Sequence, residues 1–361
     1  MTRRTGSLRR AAAAVALLGA GVTLAACATP TSSSTSTTTT TTVKPVANCP
    51  LTGTPAPNGV PRRPAIAFKV DNYGLGPAPN NARPQSGLDF ADIVFEEQVE
   101  GSITRYAAVF QCHQPQGLIG NIRSARQVDI GLLSELDSPL LVHVGGIAPV
   151  INNIDNSTLV NIDLGNYPQA EVINPNRVPP YADYSTTQKV WRLRPARTVP
   201  PAPVFTYSTL PSGGRPSSGV HLNWSFTSDI YWKWNKSTGT WLRYYNVNSG
   251  GTPQLQADVL SDGVQNQAQN VVVQVVHITY GPWLENFEGG LEAQAKIAGA
   301  SGVAYVFRNG RMIKGTWTHG ALTSPTIFRD AFGKVIPLAR GRTWLELYPD
   351  VKAVVPTFPK A

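Results

Sequence analysis

Asp92-Ile93-Val94-Phe95-Glu96-Glu97-Gln98-Val99 leads into Glu100-Gly101-Ser102, and Thr104-Arg105-Tyr106-Ala107-Ala108-Val109-Phe110-Gln111 follows. Two apolar-rich runs around a glycine-containing turn predict an antiparallel pair of strands. Side chains alternate across a strand, so Glu96 and Glu97 are expected on opposite faces. Glu96 and Glu100 lie two strand periods apart, which places them on one face if no bulge intervenes. Upstream, Ala65 to Val70 reads as a short strand after Arg63-Pro64. Downstream, Ile119 to Ile122 reads as a strand, and Ser124 is placed to cap a helix from Ala125 to Leu136, which Pro139 ends. Leu140 to Val144 reads as a buried strand before Gly145-Gly146, with a helix over Ile147 to Ile154. This order predicts a βαβ unit. Ser185 is placed to cap a further short helix through Trp191.

Pro195, Pro200, Pro201 and Pro203 cluster where the composition changes. Beyond them the pattern is β. Ile230 to Trp234 and Trp241 to Tyr245 flank a turn, as do Gly302 to Phe307 and Arg311 to Thr318 around Asn309-Gly310. Val271 to Ile278, Ile327 to Arg329, Val335 to Leu338 and Thr343 to Tyr348 also read as strands. The expected class is therefore α+β, with an N-terminal α/β-type domain carrying a mixed sheet over residues 49–203 and a β-rich domain over 204–355.

The start of the chain has a different purpose. Arg3, Arg4, Arg9 and Arg10 precede an uncharged run from Ala11 to Ala26, which ends in Leu24-Ala25-Ala26-Cys27. A basic start, a short apolar middle and small residues before a cut describe an export signal over residues 1–26. The cysteine after Leu-Ala-Ala resembles the lipobox of bacterial lipoproteins, and this implies acylation of Cys27. Thr29 to Thr42 is almost wholly Thr, Ser and Pro, too polar to repay the entropy of ordering. Residues 27–48 are read as the lipidated cysteine and its tether. The expected location is the extracytoplasmic face of the cell membrane, with the membrane as partner through the anchor.

The 361 residues carry a net charge of +9, and four of the arginines lie before Cys27. The basic residues are scattered, so a nucleic-acid partner lacks its electrostatic footprint. Cys49 and Cys112 remain in an oxidising compartment, which predicts a disulfide; the alternative is two buried thiols. No cysteine or histidine spacing suits a metal, and no cofactor loop is present.

One polar stretch exceeds structural need. Asn81-Ala82-Arg83-Pro84-Gln85-Ser86-Gly87-Leu88-Asp89-Phe90-Ala91-Asp92 continues through Glu96, Glu97, Glu100, Thr104 and Arg105. It resumes at Gly120-Asn121-Ile122-Arg123-Ser124-Ala125-Arg126-Gln127-Val128-Asp129. The order resembles the YerB-like lipoproteins, a bacterial family built on a domain of unknown function (DUF3048). Phe95, Ser102 and Asn121 depart from its usual Tyr, Gly and Pro. Arg308-Asn309-Gly310-Arg311, Gly315-Thr316-Trp317 and Gly341-Arg342-Thr343-Trp344 resemble its separate C-terminal domain. The resemblance implies a lipoprotein and no known reaction.

Arg83, Glu96, Glu100, Arg105, Arg123, Ser124, Arg126, Asp129 and His143 are the candidate ligand-binding residues. Their arginines supply forked donors for a carboxylate or phosphate; the competing reading is an ion-pair network that locks loops together. Arg105 is expected to brace, and Arg126, in a first helical turn, to be the best ligand contact. A Ser124–His143–Asp129 triad can be written, but no motif stands behind it. Trp224, Trp232, Trp234 and Trp241 are expected to pack between sheets rather than stack on sugars. The function expected is a non-catalytic binding or scaffold protein of the envelope, with wall polymer or another envelope protein as partner. The alternative is an envelope hydrolase.

Overall fold

The strand Ile66–Asp71 (β1) alternates its side chains between two cores, and this sets the architecture. Ile66, Phe68 and Val70 join one buried cluster, while Ala67 joins another on the opposite face. The same division runs through Ile93–Gln98 (β2) and Thr104–Phe110 (β3), where Val94 and Tyr106 face one way and Phe95 and Ala107 the other. A sheet with both faces covered explains why these strands read as nearly continuous apolar runs. The computed structural model describes residues 46–74, 79–210, 213–248, 250–285 and 289–359. The signal segment and Cys27 lie outside the described residues, as does the tether up to residue 45.

The α-helices and the remaining strands of four or more residues follow in order. Val128–Leu133 is a short helix (α1), Leu140–His143 a strand (β4), Ala148–Asp155 a helix (α2), Val160–Asp163 a strand (β5) and Thr187–Arg192 a helix (α3). Then come the strands Gly219–Ser225 (β6), Ser228–Asn235 (β7), Thr240–Asn246 (β8) and Asn270–Val276 (β9). Among the described residues, Ile278–Leu284 (β10) and Leu291–Ala295 (β11) form a 2-stranded sheet with each other. Ser301–Arg308 (β12), Arg311–Thr318 (β13), Ile327–Asp330 (β14) and Thr343–Pro349 (β15) complete the set.

The large sheet has 11 strands and runs β13–β12–β9–β15–β2–β3–β1–β4–β5, with Arg215–Pro216 and β14 both on the outer edge of β13. β15 lies parallel to both β9 and β2, so it joins the two halves of the chain. The described residues thus belong to one compact unit. A 6-stranded sheet built on β6, β7 and β8 covers one face. Trp224, Trp232 and Trp241 are fully buried between the sheets. The helices α1 and α2 cover the other face of the N-terminal half, through Val128, Leu132, Val150 and Ile154. The described residues are strongly β-rich, with three short α-helices among them. β4, α2 and β5 form a βαβ unit with parallel strands, but the expected one, from Ile119–Ile122 through the helix to Leu140–Val144, is not formed, because Ile119–Gly120 pairs with Asp183–Ser185 in a separate 3-stranded sheet.

Several local expectations need correcting. Ser124 caps nothing: α1 begins at Val128, with Gln127 at the cap position. Thr186, not Ser185, caps α3 by accepting from the Lys189 N–H at 3.2 Å. Val335 to Leu338 forms only isolated bridges, at Val335 and Leu338. The Cys49–Cys112 disulfide, by contrast, is formed as expected, with its Cα atoms 5.9 Å apart. No helix among the described residues is long and apolar enough to cross a membrane.

Candidate functional site

β2 carries two adjacent carboxylates into two different buried networks. Period-two alternation sends Glu96 toward the 6-stranded sheet and Glu97 toward the helices. Both are fully buried.

On the first face, the Glu96 carboxylate accepts from Arg243 Nη2 at 2.8 Å, from the Thr104 hydroxyl at 2.8 Å and from Asn72 Nδ2 at 3.2 Å. Arg243 also pairs with Asp258. Its guanidinium lies 5.1 Å from the Trp344 ring centroid and 5.5 Å from that of Tyr106. Glu346 stands beside Glu96 in the parallel register of β15 and β2 and accepts from the Trp232 indole N–H at 2.8 Å. Burial, and then the neighbouring Glu96, push the Glu346 carboxyl well above its ordinary range. Arg83 donates from Nε and Nη2 to Asn72 Oδ1 at 3.0 and 2.9 Å, reaches the Thr227 carbonyl at 3.2 Å, and stacks over Tyr245. Arg83 therefore ties its loop to the second sheet.

On the second face, Lys69 pairs with Glu97, and with Asp129 at 2.8 Å. Arg126 grips Glu100 with two bonds, Nε to Oε2 at 2.9 Å and Nη2 to Oε1 at 2.5 Å. Glu285 lies 3.2 Å and Glu292 3.8 Å from the same guanidinium. Arg105 reaches Glu100 at 3.4 Å and the Ser124 carbonyl at 3.1 Å, while Arg123 donates to Asp71 at 3.0 Å. Asp129 also accepts the Arg126 N–H at 2.8 Å. Lys69, Arg105 and Arg126 thus face Glu97, Glu100, Asp129, Glu285 and Glu292, leaving two carboxylates in excess. The excess is absorbed by protons. Burial pushes Glu97 up to about 7 against the pull of Lys69. Burial and the carboxyl of Glu285 push Glu292 up to about 9. Burial acts on Glu100 in the same sense, but Arg105 and Arg126 overcome it and hold the group at about 2.

The structure separates the sequence-predicted residues. Glu100, Arg105, Arg123, Arg126 and Asp129 gather on the helix side, with Ser124 contributing its carbonyl. Arg83 and Glu96 lie on the other face. Glu96 and Glu100 do not share a face, because β2 ends at Gln98 and a 3-10 turn over Glu100–Ser102 redirects Glu100. Arg126 precedes α1 rather than sitting in its first turn. His143 stands apart: its Nδ1 bonds the Gly145 carbonyl at 2.8 Å and its Nε2 bonds Asn161 at 2.6 Å. With both ring nitrogens occupied there, the drawn Ser124–His143–Asp129 arrangement is not assembled. Sequence reasoning missed Lys69, Arg243, Glu346, Glu285 and Glu292. The first three carried a signal, a charge inside an otherwise apolar strand run; the last two carried none.

The fold is shared with a solved structure, and the sequence with a known family. Residues 51–199 match the family described as "Protein of unknown function (DUF3048) N-terminal domain", and residues 220–345 match its C-terminal domain. The chain belongs to the DUF3048 family. YerB of Bacillus subtilis (strain 168), named as a candidate lipoprotein, is 26% identical over 321 residues, covering 84% of this chain and 87% of YerB. The crystal structure of the YerB protein from Bacillus subtilis superposes with a TM-score of 0.70 at 21% identity, covering 86% of this chain and 99% of that one.

Proposed function

We propose that this protein is a lipoprotein of the cell envelope, held on the extracytoplasmic face of the membrane by acyl chains on Cys27, and that its folded body is a non-catalytic binding or scaffold unit. The observation that carries the reading is Leu24-Ala25-Ala26-Cys27 after an arginine-rich, then apolar, start. Kinship with a protein named as a candidate lipoprotein supports it. Two acyl chains anchor a protein stably where one does not. The Thr-rich segment sets the folded body off from the lipid surface.

The scaffold half of the reading rests on how the charged residues are used. Arg83, Arg105 and Arg126 are buried and donate to groups of the protein itself, with Arg105 Nε the one of their buried nitrogens left without a hydrogen-bond partner. A ligand carboxylate or phosphate would have to displace Glu100 from Arg126, at the cost of a buried charge left unpaired. We therefore read the cluster as a brace that fixes the loops after β2 and before α1. Cell fractionation of Cys27→Ala tests the anchor: the variant is expected in the soluble fraction, and membrane retention equal to the wild type overturns the lipoprotein reading.

A further inference from the structure

β13 forms the outer edge of the large sheet, and that edge is split. Arg215–Pro216 pairs with Met312 and Arg311 at one end, and β14 pairs with Gly315 to Thr318 at the other. Ile313 and Lys314 stand between the two and, among the described residues, have no strand partner on that side. Over this gap lies a cleft of about 930 Å³, within the size range of small-ligand sites.

The walls of the cleft are built, not loose. Arg308 is buried beneath it and donates from Nη2 to the Ser208 and Leu210 carbonyls, both at 2.8 Å, and from Nη1 to the Pro337 carbonyl. One guanidinium thus holds both rims. On the far rim, Asp330 Oδ1 accepts the Phe332 and Lys334 N–H groups at 2.9 and 3.0 Å, which locks a tight turn. That ordered turn presents Phe332 at 93% exposure, and the opposite rim presents Leu210 at 73%. Met312, Ile336 and Tyr305 continue the apolar lining inward. A large aromatic held outward on a fixed turn keeps apolar area in water, a cost that a bound apolar group would remove.

The cleft is also positively charged. Arg215, Lys314 and Lys334 line it, and among the described residues none forms a salt bridge with an acid. The Arg215 guanidinium instead lies 3.7 Å from the Phe358 ring centroid, and the Lys314 ammonium 5.5 Å from that of Tyr305. Asp330 is the acid in the lining, and its Oδ1 is committed to the turn.

We propose that this cleft binds an anionic amphiphile, one alkyl chain with a phosphate head: the chain lies between Leu210 and Phe332, and the head meets Lys314, Lys334 and Arg215. The assignment is independent of the anchor on Cys27, since none of its residues belongs to the tether.

Calorimetric titration of the full chain carrying Cys27→Ala tests it. The probes are dodecyl phosphate below its micelle concentration, inorganic phosphate, and dodecyl maltoside. Dodecyl phosphate is expected to bind at least about tenfold more tightly than either other probe, because only it meets both features. Lys314→Glu with Lys334→Glu, and separately Phe332→Ser, are each expected to weaken that binding by about tenfold or more. All three side chains are exposed, so the unfolding midpoint should not move. Equal binding of inorganic phosphate or of the maltoside overturns the proposal, as does the absence of binding. So do dodecyl phosphate affinities that ignore the substitutions, which would place the binding on the apolar signal segment. Binding to phosphatidylglycerol vesicles but not to monomeric dodecyl phosphate would likewise replace the cleft with a membrane surface.

Discussion

Arg126→Ala separates a brace from a binding group. The guanidinium is 2% exposed and holds Glu100 with two charge-assisted bonds while facing Glu285 and Glu292. Glu100 is held at about 2, against an ordinary 4.5. That gap corresponds to about 3 kcal/mol of favourable interaction with its cations. Arg105, at 3.4 Å, retains a share of it. Glu285 then loses its cation, which restores the loss to about 3 kcal/mol, the usual cost of breaking a buried pair. Urea unfolding at pH 7 measures it. The sign with pH follows from the same group. Because its folded-state pKa is depressed, Glu100 contributes stability above about 4.5 that is lost as the pH falls toward 2. The variant should therefore show a flatter acid limb. Adding Glu100→Gln should recover part of the loss, since a neutral amide needs no counter-ion. A loss below about 1 kcal/mol, the worth of an exposed pair, would refute the brace. An unchanged or raised stability would mean that Arg126 is held for a ligand.

Two further outcomes follow from the same structure. Glu292→Gln should flatten the alkaline limb: the folded chain keeps a proton on Glu292 up to about 9, while the unfolded chain releases it near 4.5. Wild-type stability should thus fall between those values as pH rises, and an equal slope in the variant would contradict the assignment. Replacing Cys49 and Cys112 together by Ser releases a cross-link spanning 63 residues and should cost about 4 kcal/mol in denaturant unfolding on the chain-entropy argument; an unchanged midpoint would show that the bond constrains little.

Where a signal was local, the sequence carried it. The β2–β3 pair, the β7–β8 hairpin with Trp234 opposite Trp241, and the β12–β13 hairpin at Asn309-Gly310 are each written in adjacent residues, because turn chemistry and period-two patterning act over short distances. The opposite orientation of Glu96 and Glu97 follows from the same alternation. The disulfide was legible through cysteine count and compartment. What stands beside what across long stretches of chain was not. Nothing local says that β15 inserts parallel between β9 and β2, although this insertion brings Glu346 against Glu96 and closes one sheet through both halves. Nor does composition reveal that Glu285 and Glu292 come over from the β10–β11 hairpin to Arg126, or that a single turn at Glu100–Ser102 moves Glu100 to the face of Glu97. A charge's partner is fixed by proximity in space, and burial sets the cost of leaving it alone; both are properties of the packed chain. The sequence by itself determined most of the longer strands and the family; only the tertiary structure decided which carboxylate meets which arginine and that the edge of the large sheet opens into a cationic cleft.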